Sequence, residues 1–160
     1  MKRTLLAAMT LACIASPASA ITVWQGDLFV TAVVGGAACT AVNMAKGNYA
    51  RGIFRPKNVA DNGTSDLLSW HFAGSSGQVV PTGGSLNGAT KGIVRIIYGS
   101  AGFNQFNNWT LSGADVTPDA PTAANQTVDI QVTIQDIYSK NPTTPSNCDV
   151  TFKGTLAKKP

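Results

Sequence analysis

Glutamate is missing from this chain, and histidine is nearly so. All eight acidic residues are Asp, there is one His, and charged residues make up 12% of the 160 positions. Glu is a good helix former, whereas the Asp, Asn, Gly, Thr and Ser found here favour turns and caps. Outside the first 20 residues, no long segment keeps apolar residues at helical spacing. These absences argue against a helical protein and predict an all-β fold with little α-helix.

The residues that most enzymes and metal sites require are scarce as well. The one histidine, His71, lies between Trp70 and Phe72 in a strand-like segment. The sequence has no C-x-x-C pair, no G-x-S-x-G elbow, no P-loop lysine and no D-x-D-x-D-G calcium loop. We therefore expect a non-enzymatic protein with no catalytic residues, no metal site and no cofactor.

The first 20 residues have the layout of a bacterial secretory signal peptide. Lys2 and Arg3 form a basic start, Leu5 to Ile14 is mostly apolar, and Ala18-Ser19-Ala20 is an A-x-A cleavage site. A membrane-spanning helix needs about 20 apolar residues, so this run is too short to remain as an anchor. We expect cleavage after Ala20, a mature protein in the periplasm or outside the cell, and no transmembrane segment thereafter.

Two further expectations follow from removing residues 1–20. A lipoprotein anchored through Cys13 is the less favoured alternative, because Leu11 lies one place too close to that cysteine for the usual lipid-attachment motif. Loss of two of the twelve basic residues lowers the formal charge from +4 to 10 − 8 = +2. With no Lys- or Arg-rich run in the remainder, we expect no nucleic-acid partner.

Cysteine is also rare, and its placement predicts a structural disulfide. Cleavage of the leader removes Cys13 and leaves Cys39 and Cys148 near opposite ends of the mature chain. Two cysteines in an oxidising compartment are most simply paired with each other. Such a bond would tie the N-terminal part of the domain to its C-terminal part.

The apolar patterning predicts one β-sandwich domain over residues 21–160. The clearest strand is Thr127 to Ile137, in which Val128, Ile130, Val132 and Ile134 share one face. Leu28 to Val34 is a nearly continuous apolar run, which predicts a strand buried on both faces. Further strands are predicted at Cys39–Val42, Tyr49–Arg55, Leu67–Ala73, Ile93–Tyr98, Asn107–Leu111 and Cys148–Leu156.

Seven or eight short strands separated by turn signals favour a two-sheet antiparallel β-sandwich, Ig-like or jelly-roll-like, with one disulfide. A small β-barrel is the alternative fold. The N-terminal run from Ile21 to Val34 is apolar and next to a free terminus, so we expect it to form an exposed edge available for pairing between subunits.

One segment has the composition of a binding site. Between Phe103 and Trp109, aromatic rings alternate with amide side chains, a combination that holds sugars or stacks on partner surfaces. Phe103, Asn104, Phe106 and Trp109 are therefore predicted to contact a ligand or partner. The alternative is a hairpin whose aromatic rings face the core.

Two functions remain open. The first is an exported bacterial structural or interaction protein of the envelope or cell exterior, such as a surface, fibre or adhesive subunit. The second is a monomeric β-sandwich module that binds a carbohydrate or a small ligand. The first would involve self-association or a protein or carbohydrate surface as partner.

Overall fold

The computed structural model describes residues 22–57, 63–72, 75–98, 111–137 and 145–160. Within these residues the chain forms an all-β fold with one short helix, and no helix in them is long and apolar enough to cross a membrane. The elements are β1 (Trp24–Val34), α1 (Ala37–Ala41), β2 (Tyr49–Arg55), β3 (Leu67–Phe72), β4 (Ser75–Pro81), β5 (Gly92–Tyr98), β6 (Leu111–Thr117), β7 (Thr127–Ile134) and β8 (Asp149–Lys158).

All eight of these strands belong to one antiparallel sheet, in the order β5-β4-β3-β2-β1-β8-β7-β6. The first and last strands of the chain therefore pair with each other at the centre. β1 contacts β2 on one side, from Trp24 opposite Phe54 to Phe29 opposite Tyr49. On its other side it pairs with β8. The expectation that Ile21 to Val34 is a free edge is wrong for β1, because both of its sides are hydrogen-bonded within the chain.

The sheet curls strongly around a single core. The rings of Trp70 on β3 and Phe152 on β8 lie 5.5 Å apart, although β2 and β1 separate the two strands in the sheet. Neighbouring strands are about 4.8 Å apart, so a flat sheet would hold these positions about 14 Å from each other. The sheet is thus a half-barrel, and the expected two-sheet sandwich is not confirmed.

The two ends of the sheet approach each other. The backbone N–H of Gly88, in the turn between β4 and β5, donates to the carbonyl oxygen of Ala114 on β6 over 2.8 Å. In the same turn, the side-chain oxygen of Asn87 accepts a hydrogen bond of 2.8 Å from the N–H of Val116. Curling lets the sheet bury one face against itself, which a flat single sheet cannot do.

Glycines on the inner face make room for this curl. Gly52 and Gly77 lie on either side of Trp70 in the sheet register. A Cβ on Gly77 would overlap the buried indole of Trp70, and one on Gly52 would lie 2.6 Å from Cγ of Leu28. Glycine inside a strand commonly marks a bend or a close approach of this kind. Because these two positions have no Cβ, the side chains of Trp70 and Leu28 have room on the inner face of the sheet.

The remaining inner face is filled by alternating strand residues. The predicted inward set on β7, from Val128 to Ile134, is buried, and so are the even-numbered residues Val150, Phe152 and Leu156 of β8. Leu28 and Val30 of β1 face the same core. β1 is therefore buried on one face only, and the prediction of a strand buried on both faces is wrong.

One local prediction differs from the structure, one strand was not predicted, and one predicted strand lies almost entirely outside the described residues. Cys39–Val42 was predicted as a strand, but Gly35 and Gly36 adopt positive φ angles of 130° and 48° that turn the chain away from β1 into α1. The Gly- and Ser-rich segment Ser75–Pro81 forms β4, since small residues fit beneath Trp70. Of the strand predicted at Asn107–Leu111, only Leu111 lies within the described residues, and it begins β6 (Leu111–Thr117).

Candidate functional site

The disulfide predicted from the sequence is present. Cys39 on α1 and Cys148 just before β8 are bonded, with their Cα atoms 4.9 Å apart. Both residues are buried, and the carbonyl oxygen of Cys148 accepts a 2.8 Å hydrogen bond from the N–H of Ile137. The bond clamps the connection after β1 to the beginning of β8. Its burial at this junction indicates a structural role.

The other predicted site residues cannot be placed. Phe103, Asn104, Phe106 and Trp109 lie outside the residues that the structure describes. Their contact with a ligand or partner stays a prediction.

The buried carboxylate of Asp66 forms hydrogen bonds to the backbone. The carboxylate of Asp66 is 5% exposed and accepts hydrogen bonds from the backbone N–H groups of Lys57, at 2.6 Å, and Leu86, at 2.7 Å. His71 is exposed on the outer side of β3. Across the described ranges, no group of three or more His, Cys, Asp or Glu side chains is placed to hold a metal ion.

The feature of the surface that stands out is an aromatic pair on the convex face of the sheet. Phe29 on β1 and Tyr49 on β2 are directly opposite each other, and their ring centroids are 6.4 Å apart. Their exposed fractions are 47% and 67%, respectively. Large apolar side chains at the centre of a sheet are usually buried, so an exposed pair there is informative about binding.

Polar side chains lie near this pair on β1, β2 and β8. Lys153 of β8 lies opposite Phe29, and Asp27 lies opposite Arg51 in the next outward-facing row. Beyond Lys153, the hydroxyl of Thr155 donates a hydrogen bond to the carboxylate of Asp129. The site therefore combines aromatic rings with positively charged hydrogen-bond donors and negatively charged hydrogen-bond acceptors.

Two adjoining surface depressions together form what we call the outer groove; Phe29 lines it, and Tyr49 lies beside it as the cross-strand neighbour of Phe29. The larger, about 660 Å³, is lined by residues that include Asp27, Phe29 and Lys153. The second, about 350 Å³, shares Gln25, Gly26, Asp27 and Ala157 with the first and reaches Arg51, Lys158 and Lys159. The outer groove thus extends along β1 from Phe29 towards the last residues of the chain.

Positive charge predominates along the outer groove. Its lining has one acidic side chain, that of Asp27, and four basic side chains, those of Arg51, Lys153, Lys158 and Lys159; Pro160, the last residue of the sequence, lines it as well. The ammonium group of Lys158 is held by a 2.6 Å hydrogen bond to the carbonyl oxygen of Ala123. The side chains of Arg51, Lys153 and Lys159 are exposed or at the rim, where they are available to an anionic partner.

Sequence reasoning missed this surface. The run from Leu28 to Val34 was interpreted as buried on both faces, so Phe29 was assigned to the core. Alternation of Asp27, Phe29 and Thr31 with the buried Leu28 and Val30 is the signal that would have placed Phe29 outside. Tyr49 was predicted only as the first residue of the strand Tyr49–Arg55, and neither face of that strand was assigned to solvent.

Comparison with known proteins gives no relative for this chain. No protein-family model matches it, and no significantly similar curated protein or solved structure was found. The fold and surface themselves define a class: a disulfide-clamped, single-sheet half-barrel with an exposed aromatic and basic groove.

Proposed function

We propose that the protein is an exported, non-enzymatic interaction protein of the bacterial envelope or cell exterior, of the surface or adhesive type. It contacts its partner through the outer groove. The observation that carries this proposal is the exposed Phe29–Tyr49 pair at the centre of the sheet.

Location outside the cytoplasm is supported by two independent features. The Cys39–Cys148 disulfide is consistent with an oxidising compartment, where such bonds form and persist. The expected signal peptide over residues 1–20, with cleavage after Ala20, leads to the same compartment.

The position of the aromatic pair favours recognition. β1 has a neighbouring strand on both sides, and so do β2 and β8, which makes the face that carries the pair a rigid platform. A preorganised surface loses little conformational entropy on binding. Tyr and Arg are enriched among the residues that dominate binding energies, and Tyr49 and Arg51 stand next to each other on one face of β2.

Assembly through strand edges, as in a fibre, is less well supported. β1 is central in the sheet. At the β6 end, Ala114 and Val116 already bond to the turn between β4 and β5. Edge backbone groups that are paired within the chain offer little to a second subunit. The face of the sheet is therefore the better candidate for an interaction surface.

A monomeric carbohydrate-binding module is the second candidate. The observation that favours it is the position of the exposed Phe29 ring with Asp27, Thr31 and Lys153 along one depression, with the exposed ring of Tyr49 opposite Phe29. Aromatic faces supply apolar contact to a sugar ring, and the polar groups can bond its hydroxyls.

Co-sedimentation with isolated bacterial envelopes, combined with light scattering, tests the proposal. The double variant Phe29→Ser/Tyr49→Ser should bind envelopes at least about tenfold more weakly while keeping its melting temperature, because both side chains lie outside the core. Val34→Ser is the matched control, since Val34 is 68% exposed on the same strand but outside the outer groove. Equal binding by the double variant and the control would contradict the proposal.

A further inference from the structure

We infer that the occupant of the outer groove is an acidic polysaccharide, whose uronate rings stack on Phe29 and Tyr49 while their carboxylates pair with the basic side chains. This inference rests on the proposed function and specifies its partner. Three observations carry it: the balance of charged side chains in the groove, its extended shape and the location of its one acidic side chain, Asp27.

The charge balance favours an anionic occupant. Four basic side chains and one acidic side chain line the outer groove, although the mature chain as a whole has a formal charge of only +2 from 10 − 8. Even without Lys158, which bonds to Ala123, three basic side chains accompany the one acidic side chain, Asp27. A net positive groove on a nearly neutral protein attracts anions locally.

The shape favours a polymer over a small anion. From Phe29 to Gln25 the outer groove follows five residues of β1, opposite β8 positions Lys153 to Ala157. At about 3.4 Å per residue, the four steps between them span about 14 Å, which is longer than one sugar ring. The cations are spaced along this length: Lys153 lies beside the aromatic pair and Lys159 lies at the far end.

Asp27 distinguishes a polyuronate from other acidic polymers. It lines both depressions and so lies in the middle of the outer groove. A carboxylate there accepts hydrogen bonds from the free hydroxyls of a sugar ring, which the deoxyribose of a DNA strand does not offer. An acidic peptide would satisfy the cations but offers no hydroxylated ring to Asp27 and the aromatic pair.

Affinity measurements on the mature protein, with alginate as the polyuronate probe, test this inference. Alginate should bind with an affinity that falls as salt is added, because exposed charges are screened. Neutral dextran should not bind measurably, and polyglutamate and single-stranded DNA should bind at least about tenfold more weakly than alginate. Equal binding of polyglutamate or DNA, or stronger binding of dextran, would overturn the inference.

Two substitutions test the contacts separately. Lys153→Gln should weaken alginate binding about two- to fivefold, the range of one exposed charge pair, and Lys153→Arg should restore it. Tyr49→Ser should weaken it about three- to tenfold through loss of ring stacking. The matched controls, Lys91→Gln and Val34→Ser, remove an exposed charge and an exposed apolar side chain outside the groove and should leave affinity unchanged.

The two proposals fail differently. If Phe29→Ser/Tyr49→Ser abolishes envelope binding but the native protein does not bind alginate, the partner is of another class and this inference is wrong. If the native protein binds neither envelopes nor alginate, both proposals are wrong. Unchanged melting temperatures show that each variant is folded, so a loss of binding reports on the groove.

Discussion

The carboxylate of Asp66 joins two connections of the half-barrel, the one between β2 and β3 and the one between β4 and β5. It accepts hydrogen bonds from the N–H groups of Lys57, just after β2, and Leu86, in the turn between β4 and β5. The backbone N–H of Asp66 itself donates to the carbonyl oxygen of Gly84 over 2.7 Å. We predict that Asp66→Ala is strongly destabilising, because it leaves two inward-facing backbone donors without a partner.

The magnitude follows from the burial of these donors. An unsatisfied buried donor costs about 1–3 kcal/mol. The bond to Leu86 is buried and the bond to Lys57 partly buried, so we expect a combined loss of about 2–4 kcal/mol in the free energy of unfolding. Asp66→Asn keeps one acceptor oxygen but turns an amide N–H₂ towards the other donor, and should lose roughly half as much.

Urea unfolding of the oxidised protein, followed by tryptophan fluorescence, measures this loss. The matched control is Asp115→Ala, because Asp115 is exposed on β6 and its removal should change stability by less than about 0.5 kcal/mol. An Asp66→Ala variant that loses less than about 1 kcal/mol would refute the role given to this carboxylate.

Three further predictions concern the curl of the sheet, the disulfide and the central position of β1. Gly77→Ala should destabilise by about 1–3 kcal/mol in urea unfolding, since its Cβ would overlap a buried ring, whereas Gly113→Ala meets no atom within 4 Å and should be neutral. Replacing Cys39 and Cys148 by Ala releases a loop of 148 − 39 + 1 = 110 residues and should lower the melting temperature by roughly 10 °C or more, as seen by circular dichroism. A melting temperature equal to that of the native protein would show that the disulfide does not contribute to stability. Deleting residues 21–25 should destabilise the monomer, because it removes part of a central strand; intact stability with altered assembly, by light scattering, would contradict this.

Local sequence patterns predicted the strands and the disulfide because these depend on neighbouring residues and on compartment. Apolar and polar residues alternate over Thr127 to Ile134, which predicts the face of the strand that is buried. In β7 that apolar face does point into the core. The pairing of Cys39 with Cys148 needed only a count of the cysteines outside the predicted leader.

Long-range features were not predictable in the same way. The position of β1 at the centre of the sheet depends on the return of β8 from the far end of the chain, which no local pattern encodes. The curl depends on Gly52 and Gly77 meeting Leu28 and Trp70, and the sequence shows these glycines only as weak points in strands. A single curled sheet and two packed sheets give the same alternation along each strand.

The candidate site was missed for a related reason. An aromatic residue in an apolar strand is usually buried, and Phe29 was interpreted in that way. Only the register that puts it opposite Tyr49 and Lys153 shows that the three side chains share the solvent side. The predicted site between Phe103 and Trp109 was recognised by composition, which does not report on exposure.

The most direct test of the central claim is an amide chemical-shift titration of the isotope-labelled mature protein with a short oligouronate. The account predicts dose-dependent shifts centred on Asp27, Phe29, Arg51 and Lys153. All four line the outer groove, and Phe29 is one of the two rings of the aromatic pair. Shifts confined to residues 103–109, or no shifts at saturating oligouronate, would contradict it.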